Sequence, residues 1–418
     1  MAKVWRFSFE RAESLMTLDL RDHKADAFLL MSCSFGIATA NSVIFAALGD
    51  IQDKFGFATA SLGFISGAGF LSGFLAQLFI APYADRGHAK RLIMLGLLVS
   101  ALGAILMATS TSLTQFILAR AVIGSSFGLV MPAVRALISH VDPERRGERL
   151  GRLAGVELLG FVAGPLFGGM LLDPIGISAT FLVFGGVSIV TLLLIVFRSF
   201  PELPTNETSQ RASIELLRYP QVRIAVLLAM AIQAPVGIFD SLWDRYLTDL
   251  GGGNMMVGIS FGLYTIPFII FASHGGRLAD RHDPQKVAMY AMIFVVPAVG
   301  GYGLFQTLPP VVALNVLEGI AQALMYPASA AAVALAAPVG RASAAQGLAG
   351  ASGLLMSMLL AFTTPAIYGH FGGASQNGGV AAFGAVALLM ASLTVLAAVM
   401  LWRIGRQSKS AEVSSSVR

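Results

Sequence analysis

Gly276-Arg277-Leu278-Ala279-Asp280-Arg281 is matched in part by Ala81-Pro82-Tyr83-Ala84-Asp85-Arg86, with the two aspartates 195 residues apart. The same offset joins Gly63 to Gly258, Gly67 to Gly262, Gly124 to Gly319, Pro132 to Pro327, Arg146 to Arg341 and Gly155 to Gly350. One gapless register of Gly, Pro, Arg and Asp positions over about ninety residues marks an internal duplication. Each copy sits between long apolar runs, so the duplicated unit is a membrane bundle.

Composition agrees. Hydrophobic residues make up 56% of the 418 and charged residues 12%, and mean hydropathy is +0.75, more than a soluble core of this length could bury. Apolar runs long enough to cross roughly 30 Å of hydrocarbon as helices fall near 26–49, 58–82, 91–110, 113–139, 149–172, 176–198, 222–247, 254–276, 286–306, 309–335, 345–369 and 377–402. The expectation is an all-α membrane protein of twelve transmembrane helices in two pseudo-symmetric six-helix bundles. Its parts are a tail 1–25, a bundle 26–198, a linker 199–221, a bundle 222–402 and a tail 403–418.

The net charge of +5 does not read as a nucleic-acid footprint. Of the 28 lysines and arginines, 24 fall in the tails, the linker and the 2–3, 4–5, 8–9 and 10–11 loops. That bias places both termini in the cytoplasm by the positive-inside rule, in a multi-pass protein of the cell membrane. Residues 1–24 mix acids and bases and hold no apolar segment of a cleaved signal peptide. Cys33 is the single cysteine, which excludes an intramolecular disulfide.

The fifth run carries the most specific pattern: Gly151, then Gly160, Gly164-Pro165 and Gly168-Gly169. Spacing of four puts Gly160, Gly164 and Gly168 on one helix face, where a neighbouring helix can approach closely, and Pro165 removes a backbone donor there. This pattern resembles motif C of proton-coupled drug antiporters, GxxxxxxxxGxxxGPxxGG, with every position filled. The duplicated loop resembles motif A of the major facilitator superfamily, GxLADRxGRKR. Gly276 to Arg281 match its first six positions, and the first copy keeps Asp85, Arg86, Lys90 and Arg91 but departs at Ala81, Tyr83, His88 and Ala89. Arg120 and Gly124 resemble motif B, RxxQGxG, with Ile123 and Ser126 departing from it. The chain is thus similar to the twelve-helix drug:proton antiporters of that superfamily over residues 26–402. The resemblance implies two parallel halves with a binding site near the midplane, a motif A acid that meets the N-terminus of the eleventh helix, and a cavity lined by helices 4, 7 and 10. Arg145, Arg146 and Glu148 are placed to complete an ion-pair network with Asp85.

Charges inside hydrocarbon need partners or a purpose, because each costs about 2.5–3.5 kcal/mol at mid-span. Arg120, Asp240 and Glu318 lie about 10–14 Å deep at ~1.5 Å per residue, on the helices that the resemblance assigns to the cavity. They are expected to share one buried site, in which two carboxylates compete for one guanidinium and one of them carries a proton. Arg135 and Glu157 read as a second, structural pair in the inner half. Asp244 and Arg245 read as solvated edge residues. Asn41, Trp243, Tyr264, Gln322, Met325 and Tyr326 are the expected cavity lining, from the i, i+3, i+4 and i+7 spacing around Asp240 and Glu318 and from the one large polar group in the first run. An acidic, aromatic and Met-containing cavity suits lipophilic or cationic compounds.

No glycine precedes a lysine, so no phosphate-binding GK[ST] loop exists and ATP-driven transport by this chain alone is excluded. The GxSxG at Gly124 to Gly128 lies in a helix-forming run rather than a strand-to-helix elbow, against a hydrolase. No cofactor or metal is implied. The partners expected are a small-molecule substrate, protons and the bilayer, with no nucleic acid, and the chain is expected to act as a monomer. The functional expectation is secondary active export in exchange for protons. The alternatives are uptake by symport or uniport, movement of a lipid or metabolite and, more remotely, a transport-dead receptor or an intramembrane hydrolase. A fluorescent reporter fused after Arg418 should be bright, and a phosphatase that is active only outside the cytoplasm should be silent at the same position; the opposite pattern rejects the topology.

Overall fold

The computed structural model describes residues 25–80, 83–84, 87–141, 146–198, 200, 214–338 and 341–416. In chain order its helices are α1 (Ala25–Ala46, ending in a 3₁₀ turn), α2 (Leu48–Phe55), α3 (Thr59–Phe79), α4 (Ala89–Thr109), α5 (Leu113–Val141) and α6 (Arg146–Val196). They continue with α7 (Pro220–Ser241), α8 (Trp243–Asp249), α9 (Asn254–Arg281), α10 (Pro284–Tyr302), α11 (Leu308–Ala336), α12 (Ala342–His370) and α13 (Gly378–Ser416). Among the described residues, ten stretches are long and apolar enough to cross a membrane. One of these, Arg152–Val196, holds two crossings separated at Gly176, whose φ of 77° and ψ of 171° leave the helical region, and the 19-residue α10 supplies the twelfth. Side chains such as Val190, Leu194, Phe294 and Leu388 stand more than half exposed on the outside of the bundle, as expected where lipid is the solvent.

The duplication register governs the helix boundaries. α2 and α8 begin at 48 and 243, α3 and α9 at 59 and 254, α4 and α10 at 89 and 284, and α5 and α11 at 113 and 308, each pair 195 apart. Local chemistry sets several of these starts. Proline supplies a preset φ at the beginning of α7, α10 and α11, and the Asp283 carboxylate accepts a hydrogen bond from Gln285 N at the start of α10.

Two sequence expectations change here, and a third falls outside the described residues. The runs 26–49 and 222–247 are not single helices: each is interrupted, at Ala47 (φ −118°, ψ −9°) and at Leu242 (φ −132°, ψ −23°), again 195 residues apart. The second copy of the duplicated motif is helical rather than a loop, because α9 continues to Arg281. Asp85, Arg86 and Arg145, and the side chains of Arg146 and Glu148, lie outside the described residues, as does any ion-pair network they form.

α1 starts and α13 ends at one end of the bundle, where Asp26 is ion-paired to Arg198 at 2.5 Å and Lys90 Nζ donates to the carbonyls of Val196 and Arg198. We call this the termini end and the opposite one the far end. Glycines decide how the helices meet. Gly160 and Gly164 face α1, where an added Cβ would lie 2.7 Å from the Phe35 carbonyl oxygen and 2.6 Å from that of Thr39, and Gly168 faces Val43. Gly124 meets the Gly69 carbonyl, and its repeat Gly319 meets the Tyr264 carbonyl, positions that are also 195 apart. Between the lobes, Gly63 lies against Ala361 and Phe362 of α12, and its repeat Gly258 lies against Pro165 and Leu166 of α6. Gly169 packs on Asn254 in the same crossing. Contact i to j is thus repeated as j to i, the mark of a two-fold-related interface.

A Cβ at Gly63 would come 2.7 Å from two backbone oxygens, and at Gly258 2.7 Å from the Pro165 oxygen, so neither crossing can accept a side chain. Gly63→Leu and Gly258→Leu should each prop the far end open. A cysteine placed at the buried Ser66 should then react with a soluble maleimide at least tenfold faster than in the parent; unchanged labelling would show that these crossings do not set the closed state.

Candidate functional site

The six cross-lobe hydrogen bonds between described residues fall at or beyond the level of Arg120, toward the far end. Two lie at that level, Arg120 to Asp240 and Ser66 to the Asp240 carbonyl. The other four are nearer the far end: Gly49 N to Asp244, Arg245 to Asp53, and Asn254 Nδ2 to both Asp50 and Asp173. The lobes are therefore clasped at the far end. In the other half, Arg135 and Tyr326 are about half exposed, at 53% and 52%.

Arg120 enters from α5, seven residues past its far-end start. Its Nη2 donates to Asp240 Oδ2 of α7 at 2.9 Å, and its Nη1 donates to the carbonyl oxygen and Oδ1 of Asn41 in α1 at 2.9 and 3.0 Å. Asn41 in turn donates to the Ile123 carbonyl at 3.0 Å, which fixes its amide orientation. The guanidinium lies across α3 because Gly69 has no side chain: a Cβ there would come 2.6 Å from Arg120 Nε and 2.9 Å from Cζ. Both charged residues are almost fully buried, at 2% and 1% exposure. The pair is incompletely satisfied, since Arg120 Nε and Asp240 Oδ1 have no hydrogen-bond partner among the described residues. An ion pair with an open donor and an open acceptor is poised to exchange partners, because the low-dielectric surroundings penalise every unmet polar atom.

Glu318 does not join this pair. Its Oε2 accepts the Tyr302 hydroxyl at 2.6 Å inside the second lobe, and Oε1 has no partner among the described residues. Tyr302 is held against Trp243 and Phe383, with ring centroids 4.9 and 5.4 Å away, so Glu318 sits behind an aromatic wall. α7 ends at Ser241 and α8 begins at Trp243, and the three residues of the expected face do not converge: Asp240 and Asp244 both reach the first lobe, while Trp243 turns into its own. Trp243 is 1% exposed and donates to Ser260 within its own lobe, while Asp244, read from sequence as solvated, is 2% exposed and accepts Gly49 N at 2.7 Å. Arg245 makes ion pairs with Asp53 and Asp249.

Of the expected lining, Met325 is fully packed at 0% exposure and Gln322 nearly so; Tyr264 is half-buried beside Phe239, and Tyr326 is open. Arg135 and Glu157 meet in a two-point contact, Nε to Oε1 at 3.2 Å and Nη2 to Oε2 at 2.6 Å. Gly151, Gly160, Gly164, Pro165, Gly168 and Gly169 lie on α6, and Gly276, Asp280 and Arg281 lie at the end of α9. Sequence reasoning missed Ser66, Gly69 and Tyr302, none of which belongs to a recognisable pattern. It also missed the Gly49–Asp244 contact, although the 195-residue separation was available as a signal.

Twelve spans in two like-folded halves, joined over a buried charge pair, define a membrane transport protein. A sequence profile of the Major Facilitator Superfamily matches residues 30–248 and 224–417, and the chain belongs to that superfamily. Over 298 residues, 68% of this chain and 75% of the relative, it is 28% identical to the uncharacterized MFS-type transporter YuxJ of Bacillus subtilis strain 168. It is 26% identical to the multidrug resistance protein MdtG of Citrobacter koseri over 275 residues, 64% and 68% of the two chains. Among solved structures it is similar to the nucleoside transporter NupG (TM-score 0.72, 13% identity, 90% and 99% covered). It is also similar to a bacterial homolog of the human lysosomal transporter Spinster in an inward-facing, occupied conformation (TM-score 0.72, 17% identity, 91% and 96% covered). The superfamily's members are transporters rather than enzymes.

Arg120→Ala or Asp240→Ala each strands one buried charge and should lower stability by about 3–5 kcal/mol, whereas the double variant Arg120→Met/Asp240→Leu should lose less than either. Gly69→Val, which forces the guanidinium off α3, should resemble Arg120→Ala. Thermal unfolding of the purified protein in detergent reads all four, and a double variant less stable than both singles would contradict the pairing.

Proposed function

We propose that this transporter exports small lipophilic or cationic compounds in exchange for protons, by alternating access. The observation that carries the reading is the Arg120–Asp240 pair, which spans the two lobes and leaves one carboxylate oxygen open. With Asp240 ionised and neither proton nor substrate bound, the attraction to Arg120 holds the far end shut. A proton on Asp240, or a cation that competes for its carboxylate, removes that attraction and frees the lobes to part. Because both ligands draw on the same carboxylate, binding of one favours release of the other, and the empty carrier stays locked. Those are the two requirements of exchange, and membrane potential adds ~2.3 kcal/mol per charge per 100 mV to the driving force.

The positive-inside bias supports a cytoplasmic termini end, with the far end facing outward. The likeness to MdtG, whose name refers to multidrug resistance, supports export over uptake. Arg135 and Glu157, beside the exposed Tyr326, form the polar wall on the inner path. Glu318, bonded to Tyr302, is the second candidate proton site.

In inverted vesicles with an imposed pH gradient, a lipophilic cation should accumulate with the parent protein. Asp240→Asn, which removes the carboxylate that both ligands use, should reduce gradient-driven accumulation and exchange of labelled for unlabelled cation at least tenfold, and Glu318→Gln should have the smaller effect on both. Undiminished proton-driven flux in both variants rejects the coupling site, and flux indifferent to the gradient rejects antiport.

A further inference from the structure

The second copy of the duplicated motif ends beside a groove that takes no part in the cross-lobe site. α11 packs against both α9 and α10, while those two scarcely touch, leaving a cleft of about 510 Å³ that faces outward from the second lobe. Its walls are Leu278, Tyr290 and Phe294, and its floor is formed by Val287, Leu324 and the small side chains of Ala291 and Ala321. Tyr290 and Phe294 are 64% and 71% exposed, an apolar surface available to hydrocarbon. From Lys286 at the mouth to Phe294 is eight residues, about 12 Å at the helical rise, close to the roughly 15 Å of one leaflet's hydrocarbon.

The mouth is charged. His282 and Lys286 line it, and Arg277 and Arg281, one turn apart on α9, flank it one position away from Leu278 and His282. Both arginines are exposed, and neither forms a hydrogen bond or ion pair with any described residue. Of the nearby acids, Asp283 is engaged in capping α10 through Gln285 N and lies a loose 3.7 Å from Lys286 Nζ, which leaves Asp280 as the one carboxylate not occupied by the fold. Arginine binds phosphate oxygens through two parallel donors, and lysine adds a point charge. An apolar slot one leaflet deep with unpaired arginines at its rim matches a phospholipid whose phosphate lies at the rim and whose chain fills the slot.

We infer that the groove between α9 and α10 is a binding site for one anionic phospholipid, its headgroup phosphate held by Arg281 and Lys286 and one acyl chain lying between Tyr290 and Phe294 over Ala321. The inference does not rest on the proposed export reaction, because its readout is lipid retention rather than flux.

Native mass spectrometry of the purified full chain, titrated with phosphatidylglycerol or with phosphatidylcholine of the same acyl chains, tests it. One phosphatidylglycerol per chain should bind about tenfold more tightly than phosphatidylcholine. The exposed double variant Arg281→Gln/Lys286→Gln should abolish that preference, and Ala291→Phe, which fills the slot, should weaken both lipids. Glycerol phosphate, a headgroup without chains, should not compete. Equal affinity for the two lipids, or a preference that survives the double variant, overturns the site. Loss of the headgroup preference is decisive even if Ala291→Phe fails to fold, because the double variant changes only exposed side chains.

Discussion

Arg120 and Asp240 belong to different lobes, and each is nearly free of solvent in the clasped arrangement. A charge buried alone in hydrocarbon is strongly unfavourable, so each lobe's preferred position depends on what the other supplies. This constraint makes the far-end closure more than shape complementarity. The glycine crossings let the lobes come close enough for a 2.9 Å contact, and the contact in turn makes the close approach worth keeping. Whatever neutralises Asp240 acts on the lobe interface directly.

The interface is built from a repeated element. Gly63 against Ala361 and Gly258 against Leu166 are the same contact seen from the two lobes, and Gly49 N–H to Asp244 joins a position to its own repeat. A residue can touch its symmetry mate only near the axis that relates them. The breaks at Ala47 and Leu242 therefore flank the pseudo-two-fold axis, where α2 and α8 complete the far end. The duplication was not kept uniform at the centre. Arg120 is matched by Asn315, and Asp240 by Phe45, so the charge pair is an asymmetric feature placed on a symmetric frame.

Much of the frame could be read from residues alone. Apolar run lengths gave the crossings, and the 195-residue register anticipated helix starts it had not been used to define, such as those of α5 and α11. Lipid makes this legible, because a segment in hydrocarbon must satisfy its own backbone and so must be a helix of nearly fixed length. The glycine pattern of the fifth span also announced its role, since a missing side chain at intervals of four has little use other than close packing. Boundaries failed where a helix was broken without proline or glycine. Ala47 and Leu242 carry no local signal, and their departure from helical geometry comes from the packing of the far end.

The sequence by itself determined that this chain spans a membrane in two related halves, and it singled out the few ionisable residues that hydrocarbon would not tolerate without cause. Only the tertiary structure decided which of them are partners. Arg120 turns to Asp240 and Asn41 because Gly69 opens a path across α3, while Glu318 turns to Tyr302 behind the ring of Trp243. Depth along a helix follows from counting residues, but direction around it and distance across a lobe interface depend on helices far away in the chain.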